Sequence, residues 1–423
     1  MSIDYSHHPN ARRLSKAAAK TAATCVQNLN NWGPAVKEIQ TWPEYQPQPL
    51  RDLPQLAKAL GLGNVFIKDE SRRFGTDLGS FKALGAPFAV CRILSDEVHR
   101  QTGAYPSSAE LRTSKYHHIT QQVTVCVATD GNQGRGLAYG AKVFGCRCVD
   151  YIHGHVSPVR AKMMMDLGAI VIRIDGEYDE SVFRAKEDAR MNGWHFVSST
   201  SWTDFDHGIP QDVMNAYMVV AEEALEMLPS LQDITHVFVC GGVGSIAAAI
   251  FLGFYKHFDE ISASNSTIPF PRCVVIEPTE ADCLLQSAKA GDLRQSNSSL
   301  RTLMAGLACR DPSPAAWKIL EWLSSDFIAV PDRVAVDGMI ALAEGKHGDV
   351  PVVCGESSAA TMGVLLKAGN NEAFRERLGL DARSQCVIFG LEGATDPSIY
   401  KDLVGKSPED VFKEQDVFLQ LHR

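Results

Sequence analysis

A short β-branched run, a glycine turn and an amphipathic helix recur along this chain, and that alternation limits its fold more than any other feature. Val123–Ala128 precedes Gly136–Val143, Arg147–Tyr151 precedes Val159–Leu167, and Ile170–Ile174 precedes Ser181–Met191. Val237–Cys240 then precedes Ser245–Phe258, and Cys273–Ile276 leads into Glu280–Ala290. Strands alternating with helices of this length imply βαβ units and mostly parallel sheets covered on both faces. At 423 residues the chain is too long for one simple core, so two α/β domains are expected. Residues 1–50 read as an irregular arm with a helical piece around Leu14–Leu29. The polar stretch Ser95–Gln122 and the Ser/Asn/Thr/Pro-rich Ser262–Arg272 read as surface insertions or linkers. Sites in such folds lie beyond the carboxyl ends of the strands, where the next helices begin.

Composition removes several classes of function. The 41 basic and 50 acidic residues give a net charge of −9 with no sustained basic run, so nucleic acid and anionic membranes are poor partners. The longest apolar runs, such as Ile246 to Leu252, are too short to span a bilayer. The start, Met1-Ser2-Ile3-Asp4-Tyr5-Ser6, has no basic-then-apolar signal pattern, so a cytoplasmic location is expected. Eleven cysteines are scattered without a CxxC pair, which fits buried reduced thiols. The 13 histidines show no HExxH or paired ligand spacing, and no catalytic metal is expected.

Three stretches carry chemistry. In Gly79-Ser80-Phe81-Lys82-Ala83-Leu84, a lysine follows an aromatic residue inside the first turn of an apolar helix, with Ser80 as its N-cap. Apolar surroundings disfavour the ammonium, which lowers the lysine's pKa and makes its amine a nucleophile able to hold an aldehyde as a Schiff base. In Ala128-Thr129-Asp130-Gly131-Asn132-Gln133-Gly134-Arg135-Gly136, glycines after a strand let the backbone turn and aim N–H groups at one point. The positive helix start that follows suits a carboxylate or phosphate. Asn132 can bond a phenolic oxygen, and Asp130 can act as a base. Val239-Cys240-Gly241-Gly242-Val243-Gly244-Ser245 repeats strand, glycine loop and helix, without a full GxGxxG fingerprint or a Walker lysine. Its glycine N–H groups and the Ser245 hydroxyl are the parts needed to cradle one phosphate.

In that order, these stretches resemble the fold type II pyridoxal 5'-phosphate (PLP) enzymes, the tryptophan synthase β and serine/threonine dehydratase superfamily. Within it the sequence is most similar to the diaminopropionate ammonia-lyases. Matching stretches run from about residue 45 to 405: Lys68–Ala86, Ala128–Gly145, Val239–Ala248, Glu277-Pro278 with Ala281-Asp282-Cys283, Met304-Ala305-Gly306-Leu307-Ala308-Cys309, Cys354-Gly355-Glu356-Ser357 and Glu392-Gly393-Ala394-Thr395-Asp396. The Met-Ala-Gly-Leu-Ala-Cys run and Asp130 are the most specific to the subfamily.

The resemblance implies a role for each matching residue. Lys82 would form the Schiff base, with Phe81 beside the cofactor and Asn132 on its ring oxygen. Gly241, Gly242, Val243, Gly244 and Ser245 would hold its phosphate, and Thr129, Asp130, Gly131 and Gln133 would take the substrate carboxylate. It implies β-elimination from 2,3-diaminopropionate to pyruvate and ammonia. Lys82 would take the Cα proton from the L-isomer, and Asp130, on the opposite face, from the D-isomer. It also implies two doubly wound α/β domains: a large PLP-binding one of residues 1–95 and 205–423, and a smaller inserted one of 96–204 that closes over substrate. A homodimer is expected. Two positions depart from the family pattern. Ser199 stands where the family has an aspartate that could bind a substrate ammonium. Gly390 stands where the family has the serine that partners the pyridine nitrogen, leaving Thr395 as the substitute hydroxyl. An alternative is therefore a related β-lyase or dehydratase acting on serine, threonine or 3-hydroxyaspartate.

Overall fold

The computed structural model describes residues 5–15, 32–129, 131–176, 178–198, 208–264 and 268–422. Two sheets organise these residues. The larger is built from β1 (Ser6–Pro9), β2 (Leu50–Asp52), β3 (Asn64–Asp69), β8 (His236–Cys240), β9 (Arg272–Pro278), β10 (Asp326–Val330) and β11 (Gln385–Gly390). Its order is β1-β10-β9-β8-β11-β3-β2. The five central strands are parallel, while β1 and β2 close the two edges antiparallel. The smaller sheet, built from β4 (Thr124–Ala128), β5 (Arg147–His153), β6 (Ile170–Ile174) and β7 (His195–Phe196), is wholly parallel in the order β6-β5-β4-β7.

The β-branched runs form strands because both faces of each sheet are covered. In the large sheet Val237, Val239, Val275, Phe327 and Val387 point into one apolar cluster. Alternate residues Phe238, Cys240, Val274, Ile276, Ile328 and Ile388 point into a second on the other face. Successive strand residues face opposite sides, so a strand buried on both must be apolar throughout. In the small sheet Val125 and Val127 face the larger cluster, while Cys126, Ala128, Val149 and Tyr151 pack on Ala185 and Ala189 of the Tyr178–Asn192 helix.

Two expectations need correction. Ser95–Gln122 is not a surface insertion. The Lys82–Thr102 helix runs through Ser95 and buries Val98, and the short helices that follow bury Leu111 and Ile119. The polar composition of the stretch hid this sparse apolar stripe. The helix expected from Glu280 begins at Cys283. Glu277 reaches forward to accept from the N–H groups of Leu284 and Leu285 at 2.9 and 2.8 Å, and so sets the helix start from the end of β9. The expected helical piece at Leu14–Leu29 lies almost entirely outside the described residues.

The loop that leaves β3 is fixed by charge. Lys68 Nζ lies 2.7 Å from both Glu70 and Glu223, and the Arg73 guanidinium contacts the same two carboxylates at 2.7 Å. Tyr45 and the Gln48 N–H complete the bonding of Glu223. All four charges are buried. Glu223→Gln keeps the shape but leaves two cations facing one carboxylate. Removing one partner from a buried ionic group costs about 3–5 kcal/mol, and denaturant melts should show a loss of that order.

Candidate active site

The carboxyl ends of β3, β4, β8 and β11 lead into the segments that carry the expected site residues. After β3 the chain passes Gly79, at φ +38°, where a Cβ would stand 2.6 Å from the Ser71 carbonyl oxygen. It then pairs with the segment after β11: Phe81 N–H donates to the Leu391 carbonyl at 3.0 Å and Gly393 N–H to the Gly79 carbonyl at 2.8 Å. The helix begins at Lys82 with Phe81 as its N-cap, one residue later than expected. The Ser80 hydroxyl still serves the helix start, accepting from the Lys82 N–H at 3.3 Å.

Lys82 is held against a wall of aromatic rings. Its Nζ is 5.1 Å from the Phe81 ring centroid and 5.6 Å from that of Tyr217, and the two rings meet edge-on at 4.8 Å. Burial lowers its pKa from 10.5 to about 8, opposed by the nearby Cys309 and Glu392. The backbone of Lys82 is pinned from the other side. A Cβ at Gly136 would lie 2.7 Å from the Lys82 carbonyl oxygen, and one at Gly140 would lie 2.6 Å from Pro87 Cα. Gly136 and Gly140 therefore let the Asn132–Phe144 helix touch the lysine's helix.

That second helix starts at the Thr129–Gly134 loop. Gly131 is its N-cap, and the Gly131 N–H donates to Thr129 Oγ1 at 3.4 Å. Asp130 lies outside the described residues, as does Ser199. Asn132 Nδ2 donates to Glu392 Oε2 at 2.6 Å, and Asn132 Oδ1 accepts from Arg135. Gln133 is 8% exposed, and neither its Oε1 nor its Nε2 has a hydrogen-bond partner. A buried amide with both atoms unmatched marks a place for a polar ligand.

The Gly241–Ser245 loop joins β8 to the 20-residue Ser245–Ser264 helix, whose first turn carries no acid. Gly242 and Gly244 take φ +61° and +98°, left-handed conformations that glycine adopts without strain. A Cβ at Gly242 would stand 3.4 Å from the Gly306 carbonyl and 3.8 Å from Cys309 Sγ, so the loop faces the Met304–Cys309 run. A tight glycine turn at the head of a long helix fits a phosphate. Together with the low-pKa lysine and the unmatched Gln133, it fits PLP, a phosphorylated aldehyde.

Glu392 joins these parts and was not singled out from the sequence beyond its motif. Besides Asn132, it accepts from the Ser357 N–H at 3.0 Å, and a backbone bridge links it to Ser80. Burial pushes the Glu392 and Glu356 carboxyls upward. Arg160, at the start of the Pro158–Asp166 helix, approaches Glu356 at 3.6 Å and Asp396 at 4.0 Å. The Thr395 hydroxyl faces Glu356 at 3.5 Å. Gly390 ends β11, where an added Cβ would meet Ile67, the Lys68 carbonyl and Cys354 Sγ. Long separations between Arg160, Glu356 and Glu392 kept this cluster from being read along the chain. Among the described residues no group of His, Cys, Asp or Glu could hold a metal ion, and the described cysteines are free thiols.

The lowered pKa of Lys82 has a consequence for stability. From about pH 8 to 10.5 the unfolded chain keeps a proton there that the folded, cofactor-free protein has lost. Stability should therefore rise with pH across that window, and denaturant melts of Lys82→Met should lack this contribution.

Residues 41–388 match the family described as pyridoxal-phosphate dependent enzymes. Diaminopropionate ammonia-lyase of Salmonella typhimurium is 36% identical over 403 residues, covering 93% of this chain and 96% of that protein. The Escherichia coli K12 enzyme is 32% identical over 368 residues, 85% of this chain and 87% of that one. The crystal structure of the holo E. coli enzyme superposes with a TM-score of 0.79 at 30% identity, covering 96% of this chain and 97% of that one. Another E. coli structure, holding an aminoacrylate–PLP azomethine reaction intermediate, gives 0.77 at 29% identity over 95% and 97% of the two chains. With a fold, a lysine and a glycine cradle that fit the cofactor, the chain belongs to the pyridoxal-phosphate dependent enzymes of fold type II and, within them, to the diaminopropionate ammonia-lyase family.

Proposed function

We propose that this enzyme converts 2,3-diaminopropionate and water to pyruvate and two molecules of ammonia by PLP-dependent β-elimination. The observation that carries the reading is the convergence of Lys82, Asn132 and the glycine cradle around Glu392 and Cys309. This occurs in a chain similar to the Salmonella lyase over 93% of its length. When bound, PLP supplies the electron sink that makes the substrate's Cα–H acidic.

The chain's own residues do the rest. Lys82 anchors the cofactor and, once substrate has displaced it, accepts the Cα proton of the L-isomer. Its amine is suited to this because a pKa of about 8 leaves roughly a tenth of it unprotonated at pH 7, far more than a lysine at its ordinary 10.5. Asp130 takes the same proton from the D-isomer on the opposite face. Asn132 holds the ring oxygen, and Gly241, Gly242, Val243, Gly244 and Ser245 bind the phosphate. Thr129, Asp130, Gly131 and Gln133 receive the substrate carboxylate, a role supported by the two unmatched atoms of the buried Gln133 amide. Ser199 contacts substrate where the family has an aspartate. Thr395 supplies the hydroxyl that Gly390 lacks, turning from Glu356 toward the cofactor. Residues 96–204 form the smaller domain that closes over substrate, between residues 1–95 and 205–423 of the larger. A cytoplasmic homodimer belongs to the same reading.

Purified enzyme should be yellow, with an absorption band near about 410–420 nm that Lys82→Ala abolishes together with turnover. Pyruvate release should be fast from both D- and L-2,3-diaminopropionate and slow from L-serine and L-threo-3-hydroxyaspartate. Turnover of the hydroxy amino acids alone would favour the dehydratase alternative. Loss of a positioned general base costs about 10²–10⁴-fold, so Asp130→Asn should lower D-isomer turnover by that factor and L-isomer turnover far less. Equal losses on both isomers would sink the two-base assignment.

A further inference from the structure

The buried carboxyls of Glu356, Glu392 and Asp396 share one region of the site with the guanidinium groups of Arg135 and Arg160. Arg160 makes its ion pairs with Glu356 at 3.6 Å and Asp396 at 4.0 Å. Asp396 is further occupied as the N-cap of the Pro397–Val404 helix, where it accepts from the N–H groups of Ser398 and Ile399. Arg135 donates to the Asp77 carbonyl and to Asn132. The donors that reach Glu392 are neutral: the Asn132 amide at 2.6 Å and the Ser357 N–H at 3.0 Å. A charged donor bonds a buried carboxylate more strongly than a neutral one, so Glu392 is the acid here that gains most from a cationic ligand. Lys82 is close enough for Glu392 to favour its ammonium. A lysine bonded to the cofactor no longer offers that ammonium. Beside Asn132, the amide of Gln133 is 8% exposed with neither atom matched, a second sign that a polar ligand belongs at this helix start.

We propose that Glu392 is a specificity-determining residue, receiving the β-ammonium of 2,3-diaminopropionate while Lys82 takes the Cα proton. The inference rests on the proposed elimination and adds the group that tells an amine from a hydroxyl. The β-nitrogen is two bonds from Cα, so a carboxylate beside Lys82 is within its reach. In the elimination the Cβ–N bond breaks with its electron pair on nitrogen. The electron pair of the Cα–H bond ends in the Cα–Cβ double bond, and the proton goes to Lys82. An ammonium thus leaves as neutral ammonia without help, whereas a hydroxyl leaves as water only if an acid gives it a proton. An ionised carboxylate accepts from an ammonium and has no proton to give, so it favours the amine. Burial and the Glu392 charge push the Glu356 carboxyl up to about 7, opposed by Arg160. Glu392 is pushed upward by burial too, but its bonds from Ser357 and Asn132 favour the ionised form. Glu356 therefore takes the proton that the two acids share, and Glu392 keeps its charge.

The test uses the holoenzyme and two ligands that lack a Cα proton and so cannot eliminate, α-methyl-2,3-diaminopropionate and α-methylserine. By calorimetry, wild type should bind the diamine roughly 10–100-fold more tightly, the worth of one hydrogen bond to a charged group. Glu392→Gln keeps an oxygen for Asn132 and should keep the absorption band, yet bind the two ligands alike. Its kcat/KM for 2,3-diaminopropionate should fall by roughly the same 10–100-fold, while that for L-serine changes by less than about threefold. Wild-type affinity for the diamine should weaken as pH falls below about 7, and Glu356→Gln, which removes the second acid, should move that limb to lower pH. If Glu392→Gln folds poorly or loses the band, the Glu356→Gln shift carries the test. A preference for the diamine that survives Glu392→Gln, or a limb that stays in place in Glu356→Gln, would overturn the inference. Loss of the preference in Asp130→Asn alone would assign the ammonium to Asp130 and overturn it as well. A wild type that shows the band but turns over only hydroxy amino acids would instead overturn the proposed elimination, and the α-methyl pair would still report on Glu392.

Discussion

The buried square of Lys68, Glu70, Arg73 and Glu223 is the constraint on which the site depends. Two cations and two carboxylates, all out of water, are tolerable only because each finds two opposite charges within hydrogen-bonding distance. Three of the four belong to one stretch of chain, the end of β3 and the loop after it. Glu223 comes from the Ile209–Met227 helix, which also presents Tyr217 to Lys82. The square thus ties the segment leading to the lysine to the helix that walls it. It supplies no chemistry, yet it fixes where a nucleophilic amine meets its aromatic neighbours.

Around that frame, close backbone approach matters as much as polar contact. Gly85 admits the Tyr217 ring, Gly136 admits the Lys82 carbonyl, and Gly140 admits Pro87. Each is a place where one methyl group would push two helices apart. The loop glycines have a second use: Gly242 and Gly244 bend the backbone through left-handed conformations so that a helix start faces the site. Glu392 then draws the heads of three helices together: its carboxylate accepts from the Asn132 amide and the Ser357 N–H, and its backbone bridges to Ser80. Its carboxyl is shielded from water, and its charge is tuned by Arg135 and Arg160.

Much of the scaffold was legible in the chain. Ile170–Ile174 is β6 at both ends, and β5 and β8 extend the expected runs by one or two residues. Strands buried on both faces declare themselves as apolar runs, and glycine turns mark their ends. Where the reading failed, a contact formed only on folding had intervened. Glu277 moved a helix start from Glu280 to Cys283, and contact with the core turned the polar Ser95–Gln122 stretch into packed helix. The Asn-Gln loop and the glycine cradle were found because each lies within a few residues of its own strand end, and the lysine because it opens an apolar helix. Tyr217, Arg135, Arg160 and the part played by Glu392 were not, because their meaning lies in contacts across 50 to 260 positions of chain.

The sequence by itself determined the α/β plan, the lysine at a helix head and the two glycine loops, since strand period, helix period and turn chemistry are local properties. It also carried the family resemblance through motifs spread over nearly its whole length. Only the tertiary structure decided how acidic the lysine is, which amide and which phenol lack partners, and which carboxylates share one pocket. Those properties follow from burial and from distances between segments remote in sequence, and no local pattern encodes them.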